Sequence, residues 1–146
     1  MIDPIDEQLV KLLQNDSRQS SENLAKQLHV SPRTVRRRMK ELTSNGIMRT
    51  VVLVDPEAFG FPVVAVIAFN IIHGKLKTAT DELMRRHEVK WLVVTAGKHD
   101  ILVLARFHST DELSEFVEEE IANIEGIKSS ETYFCLNIKK GRFMQI

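Results

Sequence analysis

Residues 31–46, SPRTVRRRMKELTSNG, carry both of their own boundaries, and this constrains the fold more than any other stretch of the chain. Ser31 offers an N-cap oxygen, and Pro32 fits the first helical position, where no backbone N–H is needed. Gly46 permits the left-handed turn that ends a helix. Between these ends Val35, Met39 and Leu42 recur at four and three residues and so share one face, which must point into a core. Arg33, Arg37 and Lys40 point the other way, with Arg36 and Arg38 on the flanks. Five cations therefore oppose one anion, Glu41, in a chain of zero net charge. Such a face neutralises phosphates, and its outermost side chains reach base edges in a major groove.

The preceding segments supply the support that a basic helix needs. Residues 21–29, SENLAKQLH, form a short helix with Leu24, Ala25 and Leu28 on one side. The few residues before Ser31 match the spacing of a helix-turn-helix. Further upstream, Asp3 caps a helix with Pro4 in its first turn and Asp6 and Glu7 at its positive end. Ile5, Leu9, Leu12 and Leu13 are its buried stripe. Residues 1–46 carry eight Lys/Arg against six Asp/Glu, whereas residues 61–146 carry eleven against twelve. The cationic excess thus sits in the candidate reading head.

After Gly46 the pattern changes from helical spacing to β-branched runs. Residues 51–54 read as a strand, broken by Asp55-Pro56, and residues 56–62, PEAFGFP, as a hinge. The domain boundary is expected near Gly60, giving a 1–60 helix-turn-helix domain with strand and hinge and a 61–146 effector-binding and oligomerisation domain. Within the latter, strands are expected at 63–72, 91–95, 101–107 and 133–138. One helix at 75–87 places Leu76, Ala79, Leu83 and Met84 inward. A second, opened by a capping box between Ser109 and Glu112, buries Leu113, Phe116, Val117, Ile121 and Ile124. The order strand-helix-strand-strand-helix-strand fits a ferredoxin-like α+β plan with both helices on one sheet face. Residues 63–69 and 101–105 are apolar at both parities, whereas a sheet with one wet face should alternate. A second copy of the same sheet is the expected cover, so the chain is expected to be a homodimer. Two reading helices on a symmetric dimer suit a palindromic type of operator in double-stranded DNA.

Other classes find little support. The longest apolar region, residues 59–72, contains Pro62 and Asn70 and falls short of the roughly 20 residues that span a bilayer. Asp3, Asp6 and Glu7 replace the basic start of a secretory signal, so a cytoplasmic location without membrane contact is expected. The single cysteine, Cys135, is read as a buried structural thiol. The histidines at 29, 73, 87, 99 and 108 form no i, i+4 pair and no clustered Cys/His set, so no metal site, cofactor or catalytic residue is expected.

Taken together, the stretches IDEQLVKLLQNDSR, ENLAKQLHVSPRTVRRRMKELTSNGIMR, VDPEAFGF and TAGKHDILV resemble the leucine-responsive regulatory protein/AsnC family of prokaryotic transcription regulators. The resemblance covers essentially the whole chain. It implies a helix-turn-helix on an amino-acid-sensing domain, dimers that assemble further, and control of metabolic genes. It also implies that a small effector, often an amino acid, binds near the turn formed here by residues 97–100. Gly97 lets backbone approach a ligand, Asp100 accepts from an α-ammonium, and Thr95, Lys98 and His99 add polar contacts. An ordinary hairpin turn accounts for Gly97 and Asp100 equally well. His99 stands where many relatives carry an aromatic residue. On the DNA side Ser31, Arg33, Thr34 and Arg37 are expected nearest the bases, with Arg36, Arg38 and Lys40 on phosphates. Two rival readings stay open: an architectural DNA-binding protein without effector, and a relative of haem-precursor decarboxylases that share this fold.

Overall fold

The computed structural model describes residues 2–141 and residue 143. The chain divides into two compact units, Met1–Val51 and Val52–Ile146. The first holds three helices: α1 (Pro4–Asn15), α2 (Ser21–Leu28) and α3 (Pro32–Ser44). Each begins at a side-chain cap. Asp3 Oδ1 accepts from the N–H groups of Ile5 and Asp6 at 2.9 and 3.0 Å, while Asp6 Oδ2 accepts from Asp3 N at 3.2 Å, closing a reciprocal box. Ser20, one residue before the expected start, caps α2 through Asn23 N, and Ser31 caps α3 through Thr34 N. At the end of α2, His29 adopts a left-handed φ of 53°, which turns the chain tightly enough to begin α3 within a few residues. Leu9, Leu24, Ala25, Leu28, Val35 and Leu42 are buried together, with Ile5, Leu12, Leu13 and Met39 packed around them. The expected stripes of all three helices thus meet in one core.

The second unit contains β1 (Val63–Ile71), α4 (Leu76–Met84), β2 (Val89–Val94), β3 (Ile101–Phe107), α5 (Thr110–Glu115) and β4 (Ile127–Phe134). The strands pair antiparallel in the order β2-β3-β1-β4, the expected ferredoxin-like plan. Val63, Ala65, Ile67 and Phe69 of β1 and Ile101, Val103, Ala105 and Phe107 of β3 face a core shared with Ala79, Leu83, Leu113, Phe116, Ile121 and Ile124. Phe107 and Phe116 meet with ring centroids 5.3 Å apart.

Several expectations need correction. Residues 51–54 do not form a strand; only Val54 makes an isolated bridge, and Val52 is 80% exposed. β-branched residues favour an extended strand only where a neighbouring strand offers ladder partners. The division between units falls after Val51 and not near Gly60. The hinge residues pack with the second unit: Gly60 O lies 2.7 Å from His108 Nδ1, and the Phe61 ring lies 4.1 Å from that of His108. Helix α4 ends at Met84, short of the expected 87, and leaves Met84 59% and Leu76 38% exposed. The capping box at α5 is incomplete. Ser109 Oγ accepts from Glu112 N at 3.1 Å, but Glu112 Oε2 takes the N–H of His108 and not that of Ser109.

The second long helix is also not continuous. After α5 the chain widens into a π turn over Phe116–Glu120, closed by Ile121 N–H on Phe116 O, and then a 3-10 turn over Ile121–Asn123. Phe116 and Ile121 are five residues apart, so a regular α-helix would hold them roughly 140° apart around its axis. The wider turn puts both on the sheet. Finally, the last strand begins at Ile127 and ends at Phe134, earlier than the expected 133–138. Cys135, just past that strand, is only partly buried.

Gly126 opens β4 at φ 98°, with its carbonyl accepting from Ile72 N at 2.8 Å. A Cβ there would come within 2.6 Å of Lys75 Cβ. Gly97, in contrast, has room for a Cβ with nothing within 4 Å and no positive φ. Urea denaturation should therefore show Gly126→Ala destabilised by more than about 1 kcal/mol. Gly97→Ala should be close to neutral; equal effects would contradict the placement of β4.

Candidate nucleic-acid interface and effector turn

The exposed side of α3 is built by its cap and its core stripe. Ser31 Oγ lies 2.8 Å from Thr34 Oγ1 as well as accepting from Thr34 N, so both polar side chains sit at the helix N-terminus. With Val35 and Leu42 buried, Arg33, Arg36, Arg37 and Lys40 are exposed. Arg36 Nη1 reaches Glu22 Oε1 of α2 at 3.1 Å. Arg37 Nη1 contacts both oxygens of Glu41, one turn on, at 2.7 and 3.0 Å. These pairs lie in water, where screening and side-chain entropy leave them weak. A phosphate or base edge can exchange with them at little cost.

Arg38 is different. Its side chain is 16% exposed and its Nη1 lies 2.7 Å from Asp3 Oδ2 and 2.8 Å from Asp6 Oδ1. The guanidinium expected on a phosphate instead ties α3 to the N-terminus of α1. The two bonds, to Asp6 first and then Asp3, hold the Arg38 pKa above its ordinary value. The Asp6 backbone N–H, and then Arg38, hold the Asp3 carboxyl below its ordinary 3.8. Sequence reasoning placed Arg38 on a flank and missed the inward turn, although Asp3 and Asp6 were both legible as helix-cap residues.

In the second unit the turn between β2 and β3 is closed from within. Thr95 N donates to Asp100 O at 2.9 Å, and Thr95 Oγ1 donates to His99 O. Asp100 N donates to Phe69 O at 2.8 Å, while Asp100 Oδ2 accepts from Ile71 N at 2.7 Å. One Asp100 oxygen therefore staples the turn to the central strand. Around Glu131 of β4 the structure gathers three groups. Lys98 Nζ is 3.0 Å from Oε1, His99 Nε2 3.5 Å from Oε2, and Tyr133 Oη donates to Oε2 at 2.6 Å. Tyr133 and then Lys98 lower the Glu131 pKa; Glu131 in turn raises those of Tyr133 and Lys98. The His99 side chain is 11% exposed, and its Nδ1 is buried without a partner. Glu131 escaped the sequence reading because β4 was placed too late.

The sheet face away from the helices carries apolar side chains on its three strands β2, β3 and β1. Registered neighbours form one row, Trp91–Leu104–Val66–Tyr133, and a second, Val93–Leu102–Ala68–Glu131. Trp91 and Tyr133 are each 52% exposed.

Comparison with known proteins agrees with this arrangement. Residues 2–43 match the AsnC-type helix-turn-helix domain, and residues 64–144 match the Lrp/AsnC ligand binding domain. The chain belongs to the Lrp/AsnC family. It is a helix-turn-helix transcription regulator with the family's ligand-binding domain. Uncharacterized HTH-type transcriptional regulators of Pyrococcus furiosus and Pyrococcus horikoshii are 35% and 34% identical to it. The first alignment covers 100% of this chain and 99% of the relative, the second 99% and 92%. Among solved structures, Escherichia coli AsnC is 27% identical with a TM-score of 0.87, covering 95% of each chain. A transcriptional regulator of Neisseria meningitidis, solved as an L-Met complex, is 25% identical with a TM-score of 0.87, covering 97% of this chain and 94% of that one. Lrp/AsnC proteins are transcription regulators, and among the described residues no helix is long and apolar enough to cross a membrane.

Arg38→Met should cost roughly 1–3 kcal/mol, because it leaves the buried Asp6 carboxylate without its cation. Chemical denaturation monitored in the first unit checks this. Because the folded pKa of Asp3 is depressed, its contribution is complete above about 3.8 and lost as pH falls through the lower folded value. Asp3→Asn should therefore flatten the acid limb of the stability profile and leave its neutral region with the same slope.

Proposed function

We propose that this regulator binds specific operators as a homodimer, which assembles further, and governs genes of amino-acid or related metabolism under a small effector such as an amino acid. The observation that carries the DNA reading is the sorting of charge on α3: Arg38 is withdrawn into an ion pair, and Arg33, Arg36, Arg37 and Lys40 remain on the water-facing side. Ser31, Arg33, Thr34 and Arg37 lie toward the N-terminal half of α3 and read base edges; Arg36 and Lys40 hold phosphates. Arg38 positions the helix.

The dimer reading is supported by the row Trp91–Leu104–Val66–Tyr133 on the outer sheet face, whose end residues Trp91 and Tyr133 the chain's own helices leave half-exposed. A two-fold pair of such faces is self-complementary. The effector reading is supported by the family's ligand-binding domain and by the L-Met complex of the Neisseria meningitidis relative. Thr95, Gly97, Lys98, His99 and Asp100 line the turn concerned, joined here by Glu131. The remaining oxygen of Asp100 and the Glu131 carboxylate suit an α-ammonium, and Lys98 an α-carboxylate. No cofactor is required, and the reading places the protein in the cytoplasm with its DNA.

A duplex selected by the protein from a random library tests the assignment. Arg33→Ala or Arg37→Ala should cost about 1–3 kcal/mol and relax preference at one base position. Arg36→Ala and Lys40→Ala should weaken all duplexes alike and reduce the slope of log affinity on log salt. Unchanged affinity in all four variants would refute the interface. Saturable thermal stabilisation by one of the standard amino acids, lost in Asp100→Asn, would support the sensor; no stabilisation by any would favour an architectural role.

A further inference from the structure

At the opposite end of β2 from the 95–100 turn, the structure brings a consecutive pair of potential ligands together with a third from α5. His87 and Glu88 lie just before β2, and Glu112 lies in α5. One ligand atom from each falls within 4.8 Å of the other two. His87 Nε2 is 3.0 Å from Glu88 Oε1. The Glu88 side chain is 5% exposed and directs its carboxylate at His87, yet among the described residues its second oxygen, buried, has no hydrogen-bond partner. A buried carboxylate with one oxygen unpaired is costly.

We propose that His87, Glu88 and Glu112 form a binding site for a divalent first-row transition ion, with Zn2+ the best-matched occupant. One neutral imidazole and two carboxylates balance a doubly charged ion. They supply the nitrogen and oxygen donors that zinc accepts, with bond lengths of roughly 2.0–2.2 Å. Ligand atoms on such an ion lie about 3 Å or slightly more apart, and the His87–Glu88 separation already meets this. Glu112 is held by the His108 N–H through Oε2. That bond orients its carboxylate as outer-shell contacts orient metal-bound carboxylates elsewhere. Closing the remaining distance takes a small side-chain shift. His87, 79% exposed, is free to make one. Water fills the open coordination positions. An all-oxygen preference makes Mg2+ and Ca2+ poor competitors for an imidazole-containing set.

The ion would brace one end of the second unit. Glu88 O accepts from Arg106 N at 3.0 Å, so its backbone is tied to β3, while Glu112 belongs to the helix that follows β3. His108, beside Glu112, carries the Gly60 and Phe61 contacts. Metal occupancy therefore acts on the strand end against which the 56–62 segment packs. It is an input separate from the residue 95–100 turn.

The test uses the full chain, stripped with a chelator and titrated with Zn2+ and, for its visible spectrum, Co2+. The expected result is one ion per chain, a saturable rise in Tm, and a Co2+ spectrum of a nitrogen–oxygen site without thiolate bands. Mg2+ should leave Tm unchanged. His87→Ala, an exposed change that leaves the core intact, and Glu112→Gln should each weaken binding at least tenfold. Glu88→Gln should do the same if it folds. Absence of saturable binding would overturn the proposal. So would undiminished affinity in both His87→Ala and Glu112→Gln, or a thiolate spectrum assigning the ion to Cys135.

Discussion

The sheet of the second unit has two apolar faces, and its own helices cover one. From that mismatch much of the molecule follows. β1 must lie centrally between β3 and β4, because its residues are apolar on both sides. Its central place lets Phe69 and Ile71 anchor the 95–100 turn through Asp100. The row Trp91–Leu104–Val66–Tyr133 lies on the face that the helices leave uncovered. The same register sets Glu131 beside Lys98 and His99, so the polar turn lies at the margin of the apolar face.

In the first unit the governing contrast is between cations of identical type on one helix. Arg36, Arg37 and Arg38 are consecutive, yet the helical rotation of about 100° per residue sends them to different surroundings. Arg36 and Arg37 find exposed glutamates, which they can exchange for other anions. Arg38 finds two aspartates at the start of α1 and is withdrawn from solvent. Asp3 and Asp6 thereby serve twice, capping α1 and locating α3 against it. A count of basic residues therefore overstates by one the cations that α3 leaves exposed to water.

Helix caps, apolar stripes and strand order were readable from the chain because each depends on residues close in sequence or on a simple period. Asp3, Ser31, Val35 and Leu42 behave as their spacing demands, and β3 coincides with the expected strand at 101–107. The errors share a cause. The 51–54 run is β-branched but lacks a full ladder partner. β4 is an edge strand whose consecutive polar residues Lys128, Ser129, Ser130 and Glu131 look like a loop until they are paired with β1. The π turn after α5 is visible only once Phe116 and Ile121 must reach the same sheet.

What the amino-acid order determined by itself was the pair of units, their core faces and the basic character of α3, all consequences of local periodicity and capping. Tertiary structure alone decided which arginine is withdrawn into an ion pair, which carboxylate joins the 95–100 turn, and that His87 and Glu88 approach Glu112. Those outcomes depend on groups brought together from distant parts of the chain. Their energies come from desolvation and from distances of a few ångströms, and neither quantity exists until the chain has folded.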